Sequence, residues 1–151
     1  MSRRANSVRS VKLEVKMRPQ FQIGKGELLR DGSDVAIFAT GILVSEAIDA
    51  AKILAEKNIS ARVINLATIK PLDEEIILRA ARDCGTIVTV EEHSTIGGLG
   101  EAISSLLAEK FPVPVKKIGV NDKFGHSGSA TELLKEFGLC AENISTVAQS
   151  F

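Results

Sequence analysis

Residues 34–41, DVAIFATG, read as a continuous apolar run of strand length that ends on a glycine, with no polar side chain in its VAIFA centre. A segment of that kind is stable as a strand buried on both faces, which a sheet covered by helices on both sides provides and a half-solvated antiparallel sheet does not. The rest of the chain reads as the helices and strands such a sheet needs. Residues 27–30, ELLR, make a short strand closed by the turn pair Asp31-Gly32. Residues 42–58 carry Leu43, Ala47, Ala50, Ala51 and Leu54 at helical spacing, with Asn58 as the stop. A strand over 61–68 follows, then a helix over 71–85 with acids in its first turn, Arg79 and Arg82 near its end and Gly85 just past it. Residues 86–90, TIVTV, are a second two-faced strand, and after a glycine-rich loop Leu99, Ile103, Leu106 and Leu107 line one side of another helix. A strand over 113–120 and a helix over 129–138, opened by a capping box of Ser129 with Glu132, complete the pattern. Strands alternating with helices in this way imply βαβ units with right-handed crossovers, hence an α/β domain with a mostly parallel sheet.

At 151 residues, 44% of them hydrophobic, the chain suits one globular domain with a real core and leaves no room for a second. The one plausible boundary lies near residue 20, giving a basic tail over 1–20 and a domain over 21–151. The tail holds Arg3, Arg4, Arg9, Lys12, Lys16 and Arg18 against the single acid Glu14, so the remainder carries 13 basic and 18 acidic residues. Its composition is that of a linker or tag with little order, of an organelle transit peptide or, less well matched, of a nucleic-acid arm, and it is left out of fold reasoning. The formal net charge of zero creates no overall field toward nucleic acid or an anionic membrane. No apolar run approaches the roughly 18 residues needed to span a bilayer. Cys84 and Cys140 have no CxxC spacing and no clustered histidines, which argues against zinc and for reduced thiols in the cytoplasm.

The glycine-rich loop in VEEHSTIGGLGEA, residues 90–102, invites a phosphate. A dinucleotide fingerprint, however, needs Gly-x-Gly-x-x-Gly in the tight turn directly after a strand. Here Gly98-Leu99-Gly100 has Ile103 at the third position, and seven residues separate Val90 from Gly98. Glu91 and Glu92 at its mouth would also repel the anion. Gly24-Lys25-Gly26 lacks the Gly-Lys-Ser/Thr ending of a P-loop. Two readings remain for Glu91, Glu92 and His93: an acid/base group at the C-terminal end of a parallel strand, or a polar loop that meets another surface. The second is preferred, because no nucleophile stands beside a base anywhere in the chain and the other histidine, His126, belongs to a separate loop. Gly97, Gly98 and Gly100 then allow a close turn and close packing at the helix start.

Four stretches in order, FQIGKGELLRDGSDVAIFATGILVSEAIDAA, ARVINLATIKPLD, VEEHSTIGGLGEAISSLL and GVNDKFGHSGSATELLKEFGL, resemble the C-terminal domain of transketolases, especially those split into two shorter chains. The resemblance covers about residues 21–147. It implies a three-layer α/β/α, Rossmann-like domain with a five-stranded mixed sheet, in which ELLR is the one antiparallel strand, at an edge beside ARVINL. It also implies membership of an enzyme that uses thiamine diphosphate and Mg²⁺ to move a two-carbon ketol unit between sugar phosphates. The diphosphate- and pyrimidine-binding domains that do this chemistry in the family are the expected partner section, and this chain carries neither them nor the family's Gly-Asp-Gly metal motif. No catalytic, cofactor or metal residue is therefore carried over, and the chain alone is expected to bind no cofactor and to be inactive. By resemblance, Glu91, His93, Gly97, Gly98 and Gly100 form one contact loop toward the pyrimidine domain or across a homo-oligomer. Asp122, Phe124, Gly125, Ser127 and Gly128 form a second. The alternatives are a stand-alone α/β module for a small anionic ligand, or the related domain of a deoxyxylulose-phosphate synthase or a 2-oxo acid dehydrogenase beta subunit. The wording of EEHSTIGGLGEA and FGHSGSATELL favours transketolase.

Overall fold

The computed structural model describes residues 23–94, 97–120, 130–136 and 138–151. Along the chain run β1 (Glu27–Arg30), β2 (Val35–Ala39), α1 (Leu43–Glu56), β3 (Ala61–Asn65), α2 (Glu74–Cys84), β4 (Ile87–Ser94), α3 (Leu99–Lys110), β5 (Val115–Val120), α4 (Ala130–Glu136) and α5 (Ala141–Gln149). They build one five-stranded sheet in the order β1-β3-β2-β4-β5. β1 lies at an edge antiparallel to β3, and every other pair is parallel, as the resemblance implied.

The central strand β2 is buried at all five positions, so its two faces feed two separate cores. Val35, Ile37 and Ala39 join Val63 of β3 and Val88 and Val90 of β4 beneath α1 and α5. Ala36 and Phe38 point the other way and join Ile64, Ile87, Ile77 of α2, and Leu99, Ile103 and Leu107 of α3. Ile37 is in register with Val63 on one side and Val88 on the other, which makes a row of β-branched side chains across three strands. α1 buries Leu43, Ala47, Ala50, Ala51 and Leu54, the five positions its periodicity marks. Three of these are alanines, whose small side chains let the helix axis lie close to the sheet.

Local chemistry sets the ends of these elements. Asp73 is the N-cap of α2 and accepts from Ile76 N at 3.3 Å. Its other oxygen accepts from Gly26 N at 2.8 Å, tying the entry of β1 to that helix. The helix thus starts at Glu74, later than the expected residue 71, because the cap lies past Pro71. Gly85 closes it with φ of 76°. The expected helix over 129–138 is α4 over Ala130–Glu136, and the Ser129 half of its capping box lies outside the described residues. α5 is an element the sequence pattern did not single out; it buries Ala141, Ile144 and Ala148 and completes the layer beside α1. The basic tail, residues 1–20, also lies outside the described residues.

At the N-terminal rim of the sheet the polar groups satisfy one another. Arg62, with a side chain only 11% exposed, pairs with Asp31 and with Asp83, each at 3.0 Å. Burial opposes its charge, yet the hydrogen bond to Asp83 and the nearby negative charges hold its pKa above the usual value. Cys84 donates to Gly32 O at 3.4 Å, and Asp34 accepts from Ser60 N at 2.7 Å. Gly32 passes so close to β3 that a Cβ there would lie 2.6 Å from both Ala61 O and Arg62 N. Both are backbone atoms held in the sheet, so Gly32→Ala is expected to destabilise the domain by about 1–3 kcal/mol, measured by urea unfolding. Burial pushes the Cys84 thiol up, against the lowering pull of Arg62. A thiol raised in the folded state contributes stability below its unfolded pKa, about 8.5, that is lost as the pH rises through that value and the folded pKa. Stability followed from pH 7 to 10 is therefore expected to fall more steeply for the parent chain than for Cys84→Ala.

Candidate functional site

The connection after β2 runs through α1 to β3 on one side, whereas the connection after β4 runs through α3 to β5 on the other. The strand order therefore reverses between β2 and β4, and the C-terminal ends of those two strands border the crevice where open α/β sheets hold their ligands. Two successive glutamates at the end of β4 face this crevice and, by the alternation of a strand, opposite layers. Glu92 leans over the β2–α1 turn: a Cβ on Gly41, whose φ is 59°, would lie 2.8 Å from Glu92 Oε1. Glu91 points under α3 and is only 2% exposed.

The Glu91 carboxylate takes the place an anion would have. Its Oε1 accepts from Leu99 N and its Oε2 from Gly100 N, both at 2.8 Å. These are first-turn amides of α3 that have no partner within the helix, and the helix dipole adds to their attraction for a carboxylate. The N-cap itself is Gly98, which has no side chain to offer, so the cap comes from the neighbouring strand. On the outer side Gly97 N donates to Glu101 Oε2 at 2.7 Å, and Gly97 turns the chain with φ of 74°. Gly100 lets α3 sit against the sheet: a Cβ there would come within 2.6 Å of Thr89 Oγ1 and 2.7 Å of the Lys117 side chain.

This geometry corrects two expectations. β4 does not end at Val90 but continues to Ser94, which pairs with Val120 of β5 after an irregularity in register. The connection to α3 is accordingly short, residues 95–98, rather than a seven-residue loop. Second, Glu91 is an internal cap, so its side chain is not part of an exposed contact loop; a buried carboxylate is tolerable because two backbone amides meet it. Phosphate is excluded from this helix start by a carboxylate already seated there, a stronger obstacle than repulsion at the loop's mouth.

The remaining expected residues are distributed unevenly. Gly97 is exposed and Gly98 half-buried at the rim, while Gly100 is buried beneath it. His93 belongs to β4 by its backbone. Asp122, Phe124, Gly125, Ser127 and Gly128 lie outside the described residues. The same rim gathers residues the sequence reading did not choose. Ile42, the N-cap of α1, is 54% exposed beside Gly41, and Ile23 is 69% exposed where Gly24 N is held by Thr68 Oγ1 at 3.0 Å. A glycine at the N-cap, with glutamates eight and seven residues before the first helical residue, is the available sign of a cap supplied from the strand. Among the described residues no group of three or more His, Cys, Asp or Glu side chains could hold a metal ion. With Glu91 in the anion seat, these residues do not fit a diphosphate or its Mg²⁺. Gly100→Ala should gain up to about 1 kcal/mol of helix propensity and lose about 1–3 kcal/mol to the clash with buried Thr89, a net loss that thermal unfolding will detect.

Residues 24–144 match the family model described as transketolase, C-terminal domain. The chain is 50% identical over 125 residues to the 6-deoxy-6-sulfo-D-fructose transketolase subunit of Clostridium sp. strain MSTE9, covering 83% of this chain and 39% of that protein. It is 51% identical over 125 residues to the putative transketolase C-terminal section of Methanocaldococcus jannaschii, covering 82% and 39%. The likeness extends to the 1-deoxy-D-xylulose-5-phosphate synthase of Heliobacterium modesticaldum, 47% identical over 128 residues, 84% of this chain and 20% of that one. A solved structure described as a split gene transketolase, inactive beta4 tetramer, superposes with a TM-score of 0.83 at 45% identity over 86% of this chain and 43% of its own. The chain thus spans about two-fifths of the length of its split-transketolase relatives. On these matches and on the shared fold, the chain belongs to the transketolase C-terminal domain family.

Proposed function

We propose that this chain supplies the C-terminal domain of a split, cytoplasmic, thiamine-diphosphate-dependent transketolase that moves a two-carbon ketol unit between sugar phosphates, and that it serves assembly and not the chemical step. The observation that carries this reading is the filled crevice: the anion seat of α3 holds the chain's own Glu91. Thiamine diphosphate and Mg²⁺ are accordingly assigned to the partner section that contains the diphosphate- and pyrimidine-binding domains. When bound there, the cofactor supplies the carbanion chemistry, and this chain's part is to hold that section and its dimer together. The rim of Gly41, Ile42, Glu92, Gly97 and Gly98 offers the docking surface, with Asp122, Phe124, Gly125, Ser127 and Gly128, outside the described residues, assigned to a second contact. The named assembly of the solved relative, a beta4 tetramer called inactive, supports a chain that self-associates and lacks activity alone. The free thiols Cys84 and Cys140 fit a reducing compartment. Identities of 50% and 51% to two transketolase sections, against 47% to the synthase, support transketolase.

The test is reconstitution with the N-terminal transketolase section from the same organism. Ketol transfer is expected only in the mixture with thiamine diphosphate and Mg²⁺, and the partner section should raise this chain's melting temperature. Tight binding of thiamine diphosphate or inorganic phosphate by the isolated chain would instead establish the stand-alone anion-binding module, and 1-deoxyxylulose-phosphate formation by the mixture would establish the synthase. Gly98 has φ of −98° and ψ of −158°, an extended backbone that a branched residue adopts. Gly98→Val is therefore expected to keep the isolated fold and weaken assembly; simple unfolding of the variant would end the contact assignment for that glycine.

A further inference from the structure

We infer that Glu91 is the positioning residue of the docking rim: its carboxylate acts as a built-in anion that seats the N-terminus of α3 and thereby sets the direction in which Glu92, Gly97 and Gly98 face the partner section. This rests on the assembly role proposed above and goes further by naming the interaction on which the rim's shape depends.

Three observations converge on it. First, the carboxylate is buried, and the partners that meet it are two backbone amides of one helix, each at 2.8 Å. Strand and helix are therefore held to each other by a charge-assisted pair that neither could leave without exposing an unsatisfied group. Second, the regular ladder between β4 and β5 breaks between Val90 and Ser94, the stretch that contains Glu91. Sheet pairing does not dictate the path of the rim there, and the side-chain clasp does. Third, among the described residues at this turn no other side chain caps the helix, because Gly98 has no side chain and Glu101 is engaged on the outer side by Gly97 N. The turn of Gly97 and Gly98 is thus fixed from β4 through Glu91 and from α3 through Glu101. Glu92 is the next residue along the strand and faces the opposite layer, so the clasp also fixes the carboxylate that lies against Gly41.

The experiment compares the full chain with Glu91→Gln and Glu91→Ala for binding to the N-terminal transketolase section by calorimetry, with fold monitored by circular dichroism and by exchange of β2 amides. A carboxamide keeps the shape but offers one acceptor oxygen, and its NH₂ opposes the second amide. Glu91→Gln is expected to stay folded and to bind the partner section about tenfold more weakly, as expected for the loss of a strong cap. In Glu91→Ala, added acetate should refill the seat and recover affinity, whereas chloride at equal ionic strength should not, a distinction that a loss of stability alone does not produce. Parent-like affinity in a folded Glu91→Gln overturns the inference, as does an acetate-restored fold without restored affinity. A Glu91→Ala chain that stays unfolded even in acetate makes Glu91 a folding residue and overturns it equally. If the parent chain itself binds no partner section, the assembly role fails first and the positioning role with it; normal parent binding with unaffected variants sinks the positioning role alone.

Discussion

A strand with no face for water organises this domain. β2 buries all five of its residues, and the only way to keep both of its faces dry is to flank it with strands and cover both sides with helices. The row Val63, Ile37, Val88 runs through the middle of that arrangement, and the two clusters above and below it divide the helices between them. α1 takes one side with a close-lying alanine face, joined by α5, while α2 and α3 take the other. The antiparallel β1 then closes an edge beside β3 without needing a helical crossover.

The order of strands also makes the two rims unlike each other. At the N-terminal rim the charged groups are internally paired, with Arg62 between Asp31 and Asp83 and the chain drawn tight at Gly32. At the C-terminal rim the reversal between β2 and β4 opens a crevice, and there the chain shows exposed Ile23 and Ile42 with a glycine turn on either side. Apolar exposure does not separate the rims, since Phe111 and Phe151 are also exposed near the start of β5; the crevice and its glycine turns do.

Within that crevice, Glu91 and Glu92 show how two adjacent identical residues acquire different environments. Strand alternation sends one under α3 and the other over Gly41, so one becomes a buried cap and the other stays accessible at the rim. The helix start that looks like a phosphate cradle is complete without phosphate, because its amides already hold a carboxylate. A domain of this build has the geometry of a ligand site and uses it to fasten its own strand to its own helix.

Much of this was legible in the chain itself. The apolar run at residues 34–41, the helical spacing of Leu43, Ala47, Ala50, Ala51 and Leu54, and Gly85 as a C-cap are local signals, set by periodicity and backbone preference, and each reappears in the structure. The short helix α5 was missed because nine residues with Thr146 and Val147 among them carry little intrinsic helical preference, and packing against α1 decides the matter. The extent of β4 and the inward turn of Glu91 were likewise out of reach, since a glutamate between a strand and a glycine loop reads as solvated. The sequence by itself determined the alternation of elements, the two-faced sheet and the glycines where the chain must bend. Only the tertiary structure decided that Glu91 belongs to the interior, because the energy of a buried carboxylate depends on two amides eight and nine residues away that only the folded helix presents.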